Sequence, residues 1–207
     1  MNLRKPFRYS FNNAVLYLIG INLFIFLMQY LSRDVVTYYL ALIPSRVLSG
    51  WAWQFITYMF AHGSVSHILF NMLALFIFGR QVENGMGTKE FLLYYFSTGV
   101  LAGVFSFIVY TAAGVNVALL GASGAIFAVQ LAYAALFPRA IIYVWGILPL
   151  RAPVMALGFT TLEVFFSITG LQNGVAHLTH LAGFGLGWIY FLVRFGRNPW
   201  KMFKRGA

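Results

Sequence analysis

The chain has 207 residues, 61% hydrophobic and only 9% charged, with a mean hydropathy of +0.80. These values exclude an ordinary soluble domain and require an integral membrane protein, and the lack of cysteine excludes disulfides, thiolate metal sites and cysteine nucleophiles. The net charge of +10 has a membrane explanation, given below, so nucleic acid is not an expected partner.

With almost no polar linker, residues 1–207 read as a single transmembrane domain. A spanning helix needs about 20 apolar residues, with about 17 to 25 tolerated. The first candidate is 14–31. The basic segment before it, with Arg4, Lys5 and Arg8, resembles the front of a signal peptide, but no small-residue cleavage site follows, so the segment is expected to remain as an anchor. A second helix is predicted over about 65–79, apolar after His67 and interrupted only by Asn71. Further spans are predicted over about 91–113, 123–137, 154–168 and 175–193. The run 140–150 is about half the length of a crossing and carries Gly146 and Pro149, so it is expected at the membrane interface. The predicted fold class is an all-α membrane protein, a bundle of six transmembrane helices.

Lys and Arg accumulate on the cytoplasmic side of membrane proteins. Six spans place Arg80, Lys89, Arg139, Arg151, Arg194, Arg197, Lys201, Lys204, Arg205 and the N-terminal cations on one side, leaving only Arg33 and Arg46 on the other. Both termini are therefore predicted to be cytoplasmic. A seventh crossing at 140–150 would export the basic tail and is rejected on the same ground. In this topology the second, fourth and sixth spans all enter from outside, so His67, Ser123 and His180 share the outer half of the membrane.

At about 1.5 Å per residue, the fourth span covers about 22 Å of a hydrocarbon core about 30 Å thick. Ser123 is therefore expected below the outer surface, in a recessed aqueous pocket. The uncharged loop 114–120 is expected to dip inward, its backbone sheltered by protein or by a water-filled cavity. Ser123, in Gly121-Ala122-Ser123-Gly124, is the candidate nucleophile and His180 the candidate general base and acid. His67 and Asn71 lie four apart on one helix face, and with the Ser123 backbone N–H they are the candidate oxyanion donors. Glu83 and Glu90 fall on the cytoplasmic side and Asp34 in the outer loop, so a dyad is expected. Glu163 has two readings: an intramembrane functional residue, or a protonated carboxyl bonded to Thr160, Thr161 or a neighbouring helix. His62 and His177 are expected to stabilise loops. The four histidines lack nearby carboxylate or cysteine ligands, so neither a metal site nor a cofactor is expected. The pairs Gly99/Gly103 and Gly183/Gly187 are packing surfaces, the second bringing the last span close enough to the fourth for a histidine–serine hydrogen bond.

Gly-Ala-Ser-Gly at 121–124, His-Ile-Leu-Phe-Asn at 67–71 and His180-Leu-Ala-Gly183, in that relation along the chain, resemble the rhomboid intramembrane serine proteases. The resemblance extends over roughly residues 45–190, with the long first loop around Trp53 and a turn at Val82-Glu83-Asn84-Gly85. It implies a Ser123/His180 dyad, with His67 and Asn71 contributing to the oxyanion hole. It also implies membrane-anchored substrates cut in or near a transmembrane segment, often after a small residue. Two positions depart from the family pattern: Gln54 follows Trp53 where Arg is common, and Phe127 stands where Tyr is frequent. Residues 170–174 are a candidate cap over the pocket and the fifth span a candidate lateral gate. The competing classes are a non-catalytic rhomboid-like protein that binds transmembrane helices, and a small transporter using Glu163 and Gln130, for which no internal repeat is visible. A short bare core points to a bacterial plasma membrane, and no pattern here encodes an oligomeric state.

Overall fold

The computed structural model describes residues 6–144, 146–170 and 176–204. Helix α1 (Ala14–Leu31) leads into a long excursion carrying α2 (Arg33–Leu40), α3 (Pro44–Leu48) and α4 (Gln54–Thr57). Helix α5 (Val65–Ala74) passes through a wide π-type turn at Leu75–Gly79 into α6 (Arg80–Met86), making one rod of 22 residues, Val65–Met86. It is followed by α7 (Thr88–Ala112) and α8 (Ser123–Leu136), and then by a hairpin of β1 (Ile141–Val144) and β2 (Leu148–Arg151). Next come α9 (Ala152–Thr169) and α10 (Ala176–Tyr190), which a second π-type turn extends to Phe195, and last α11 (Pro199–Lys204). Among the described residues five helices are long and apolar enough to cross a bilayer, and α8 is a shorter sixth. The protein is a multi-pass helical membrane bundle.

Two expectations change. The 65–79 helix continues to Met86 because Val82-Glu83-Asn84-Gly85 is helical, and the chain breaks only at Gly87, whose φ of 86° suits a residue without a side chain. The run 140–150 is an antiparallel hairpin, Ile141 opposite Arg151 and Val144 opposite Leu148, a departure from an all-α chain. It does not cross; its Ile141, Tyr143, Ile147 and Leu148 are exposed, an apolar surface that suits a membrane interface. Val175, the first residue of the expected sixth span, lies outside the described residues, as do residues 171–174 of the expected cap.

In lipid there is little hydrophobic drive between helices, so close packing of small residues and internal hydrogen bonds hold a bundle together. Helix α8 shows this: Gly124, Ala125, Ala128, Ala132, Ala134 and Ala135 are all buried, and neighbours cover it on nearly every side. The outward faces of the surrounding helices carry the exposed apolar side chains, among them Phe24 and Leu27 on α1, Leu69 and Leu73 on α5, Phe105 and Ile108 on α7, and Phe165 and Ile168 on α9. In water such a belt would aggregate; in a bilayer it is the lipid-facing surface.

Buried carboxylates lock one end of the bundle. Glu83 accepts the backbone N–H groups of Ala14 (2.8 Å) and Val15 (3.0 Å) and the Thr88 hydroxyl (2.6 Å), capping the start of α1 from the end of α6. Glu90 accepts two bonds from Arg194 (2.7 and 2.9 Å), the Tyr190 hydroxyl (2.6 Å) and the Phe7 N–H (3.2 Å). These contacts bring the N-terminal segment, the start of α7 and the end of the last span to one face of the bundle. Removing one partner of a buried ion pair costs about 3–5 kcal/mol. Arg194→Leu is therefore expected to destabilise by that amount in denaturant unfolding of the detergent-solubilised protein, and the Glu90→Gln/Arg194→Leu double variant to recover a substantial part. Equal losses in both would show that the pairing contributes little.

Candidate active site

At the opposite end of the bundle the starts of α5, α8 and α10 converge. Ser123 is the first residue of α8, and His180 lies in the first turns of α10. Their side chains meet, with His180 Nε2 at 2.7 Å from Ser123 Oγ. Glycine makes this approach possible. A Cβ on Gly183 would collide with the Gly124 carbonyl, and one on Gly187 would lie 2.5 Å from the Tyr94 hydroxyl and 3.1 Å from the Ala128 Cβ. The α10 backbone therefore lies directly on α8. The Ser106–Thr179 hydroxyl bond (2.6 Å) holds the residue before His180 to α7, and the Tyr94 hydroxyl donates to the Ala128 carbonyl (2.6 Å) to tie α7 to α8. Phe127, one helical turn beyond Ser123, stacks on the His180 imidazole, centroids 4.6 Å apart and planes within 7°.

A cavity of about 330 Å³ opens beside the pair, lined by Ser123, His180, His67, Asn71, Phe127 and Gln130, with Ser66, Phe70, Ala74 and Ile126. Ser64 caps α5 by accepting the His67 N–H (3.1 Å), which sets the helical phase of His67 and Asn71. His67 Nδ1 accepts the Gly63 N–H (3.4 Å), which places the ring proton on Nε2. That nitrogen faces Gly121: a Cβ there would lie 2.7 Å from it, and φ of 118° at Gly121 already requires glycine. The structure thus brings all four sequence-predicted side chains, Ser123, His180, His67 and Asn71, to one cavity, the direct contact being Ser123–His180.

The long first loop supports this arrangement from outside the spans. Leu42 and Leu119 exchange backbone hydrogen bonds (2.8 and 2.9 Å), and the Gly121 N–H donates to the Tyr58 carbonyl (2.9 Å), so the last residues before Ser123 are covered by protein, whereas Gly114, Asn116, Val117 and Ala118 of the 114–120 loop are exposed. Gly99 and Gly103 serve this loop: their faces receive Met59 and Tyr58, and the Tyr58 hydroxyl donates to the Gly99 carbonyl (2.6 Å). Gln54 is fully buried and accepts the Ile43 N–H (3.1 Å) while its amide faces the Tyr38 and Tyr39 carbonyls. The loop is thus tethered through an amide, with Arg46 donating to the Tyr38 carbonyl and lying over the Tyr38 ring. His62 is a packing residue. Its N–H donates to Gln29 Oε1 (2.9 Å), and burial, reinforced by the adjacent His67, pushes its pKa down to about 4, so it is neutral at physiological pH.

For Glu163 the neighbouring-helix partner holds and the threonine partners do not, and the expectation that the histidines lack a nearby carboxylate is corrected. Thr160 and Thr161 bond instead to the Ala156 and Leu157 carbonyls of their own helix. Glu163 points to α10, with Oε2 at 2.5 Å from His177 Nδ1 and Oε1 at 3.1 Å from His180 Nδ1. The first is a hydrogen bond; the second is an ion-pair contact off the ring N–H axis, so His180 Nδ1 has no hydrogen bond. A carboxylate therefore does stand behind His180, and the histidines do have one beside them. The i, i+3 spacing of His177 and His180 was the sequence signal for a shared partner, but nothing in the sequence set the rotational phase of α9 that makes Glu163 that partner. Gln130 is the other residue whose place was not foreseen: it lines the cavity, with its Oε1 buried and unpaired.

A serine and a histidine thus meet at the head of a short, enclosed helix, beside a cavity. The Rhomboid domain family matches residues 49–197, nearly three quarters of the chain, and the protein belongs to the rhomboid family. It is 30% identical over 141 residues to the rhomboid protease GluP of Bacillus subtilis, covering 67% of this chain but 26% of that protein. To YdcA of the same organism, which bears a rhomboid protease name, it is 32% identical over 153 residues, 73% of this chain and 71% of that one. Presenilin-associated rhomboid-like protein A of Danio rerio mitochondria is 31% identical over 132 residues, 64% of this chain and 30% of that one.

Overpacking a tight contact costs about 1–3 kcal/mol. Gly183→Ala is expected to lower unfolding stability by that amount, whereas Gly185→Ala, where nothing lies within 4 Å of an added Cβ, is expected to leave it unchanged or raise it. Equal stability of the two variants in thermal or denaturant unfolding would contradict the close α8–α10 approach.

Proposed function

We propose that the protein is an intramembrane serine endopeptidase that hydrolyses peptide bonds in or near transmembrane segments of membrane-anchored proteins. The observation that supports this most directly is the 2.7 Å contact of His180 Nε2 with Ser123 Oγ at the cavity. In this reading His180 Nε2 takes the Ser123 proton as Oγ adds to the scissile carbonyl carbon. The oxyanion receives hydrogen bonds from the His67 Nε2–H, the Asn71 side-chain amide and the Ser123 backbone N–H at the α8 N-terminus. Collapse breaks the C–N bond, and His180 returns its proton to the leaving amine. Water from the cavity then adds to the acyl-enzyme carbonyl, giving its proton to His180, and Ser123 is regenerated. Glu163 acts as a positioning residue: its negative charge beside Nδ1 favours the ring proton there and leaves the Nε2 lone pair toward Ser123.

Substrate reaches the cavity sideways in this reading. A groove of about 490 Å³ lies between α5 and α9 beside the hairpin, lined by Phe70, Leu73, Ile77, Tyr143, Met155 and Phe159, and it shares Phe70, Ala74 and Gln130 with the cavity. Helix α9 is the gate, and a substrate segment must leave its helical hydrogen bonds before Ser123 reaches a carbonyl. The apolar belt and the basic face suit a bacterial plasma membrane with both termini inside.

The test uses the purified chain with a fluorophosphonate probe and a model transmembrane substrate. Ser123→Ala is expected to abolish labelling and cleavage together, and Asn71→Ala to lower kcat by about 10²–10³, the usual effect of losing one oxyanion donor. Glu163→Gln is expected to lower kcat with little change in KM, since it acts on the proton-transfer geometry. Wild type and Ser123→Ala behaving alike toward the probe and the substrate would overturn the protease assignment and leave the helix-binding alternative.

A further inference from the structure

We propose that Glu163, His177 and His180 form a binding site for a divalent transition metal of the zinc class, and that its occupancy switches the serine site off. The second half of this proposal rests on the protease reading; the first does not. His177 and His180 lie three residues apart on α10 and face Glu163 on α9. One donor atom from each of the three side chains lies within 4.8 Å of the others, and the carboxylate meets His177 Nδ1 through Oε2 and His180 Nδ1 through Oε1. The side chains are 9%, 16% and 16% exposed, so the cluster is largely shielded yet open to an entering ion.

The donor set and its dimensions suit that class of ion. Two imidazole nitrogens and one carboxylate are borderline and hard donors of the kind that bind Zn²⁺, with a fourth position left for water. Zinc–ligand bonds of about 2.0–2.2 Å put tetrahedral ligand atoms about 3.3 Å apart. The carboxylate contacts, 2.5 Å from Oε2 to His177 Nδ1 and 3.1 Å from Oε1 to His180 Nδ1, are close to that spacing, and the 4.8 Å bound on the donor set leaves a contraction for the ion to draw in. His180 Nδ1 is buried and, with only the off-axis Glu163 Oε1 at 3.1 Å beside it, makes no well-formed hydrogen bond. A buried polar atom in that condition normally has a partner, and a metal ion would supply one.

The consequence for Ser123 follows from counting ring protons. A neutral imidazole has one lone pair and one N–H. With Nδ1 protonated, as the adjacent carboxylate favours, the lone pair is on Nε2, 2.7 Å from Ser123 Oγ. A metal ion on Nδ1 takes the lone pair there and leaves the ring proton on Nε2, so the ring carries the same number of protons but the general base has become a donor. Ser123 then has no acceptor for its proton. Metal binding would therefore silence the nucleophile from the far side of the ring without entering the substrate cavity.

The experiment begins with the full chain stripped of metal by a chelator and titrated with Co²⁺, whose visible absorption reports tetrahedral ligation. One site per chain is expected in wild type and equally in Ser123→Ala. Binding should weaken by at least about tenfold in His177→Asn, His177→Gln and Glu163→Gln, since even outer-shell partners carry about 10–100-fold in affinity. Fluorophosphonate labelling is the second readout. Saturating Zn²⁺ should slow labelling of wild type at least about tenfold, while the labelling rate of His177→Asn, whatever its metal-free value, should be the same with and without Zn²⁺. No tetrahedral Co²⁺ band in wild type, or an undiminished band in all three ligand variants, would overturn the site. Labelling of zinc-saturated wild type at the metal-free rate would overturn the switch. Metal-free wild type that does not label at all would sink the protease reading and the switch built on it, and the Co²⁺ titration would still decide the site.

Discussion

The carbonyl of Gly124 occupies the place where a side chain on residue 183 would have to be, and the end of the molecule that holds the Ser123–His180 pair depends on that contact. A histidine and a serine on different helices hydrogen-bond only if the helix axes approach closely. In lipid, where apolar side chains gain little by leaving their surroundings, small residues are the means of achieving that. The Gly183/Gly187 face against Gly124 and Ala128 sets the distance between α10 and α8, and Ser106, Thr179 and Tyr94 set the register with hydroxyl bonds. Phe127 closes the arrangement by stacking on the imidazole, so that the ring has one orientation rather than several.

The two ends of the bundle are built on different physics. At the basic face, buried carboxylates carry the structure: Glu83 caps α1 and Glu90 clamps Arg194, each surrounded by donors that compensate for its removal from water. At the other face the polar groups lining the cavity are loosely paired. Gln130 Oε1 has no hydrogen bond, and Asn71 and His67 open on space. Closely paired carboxylates at the base and a partly unsatisfied cavity above it suit a protein that binds a polar group in lipid, because only unsatisfied donors and acceptors have bonds left to offer.

The long first loop belongs with the site although it contributes no reacting group. It pairs with the chain approaching Ser123 through Leu42 and Leu119 and sends Tyr58 and Met59 into the glycine faces of α7. Irregular backbone at membrane depth must be covered by protein or by water, and these contacts cover the part of the chain next to Ser123. Gln54 performs the tethering with its amide, bonding the backbone of 38–43 from a fully buried position.

Much of this architecture was legible in the chain alone because lipid imposes one-dimensional rules. The apolar runs marked the spans, the first of them at the residues where α1 begins and ends, the basic residues sorted the faces, and three polar motifs in an otherwise apolar sequence marked Ser123, His180, His67 and Asn71. The Val82–Gly85 segment reads as a turn although it is helical, because Glu83 takes its partners from Ala14 and Val15 far along the chain, and the 140–150 run shows no form because periodicity over so short an apolar stretch does not separate a helix from a strand. Glu163 is the clearest case. Its sequence shows a carboxylate inside an apolar helix, but whether it bonds its own helix, a histidine behind the serine, or two histidines at once depends on how α9 is rotated against α10. That rotation is set by the packing of whole helices, so hydrophobicity and motif determined which residues stand at the site, and only the tertiary structure decided which of them touch.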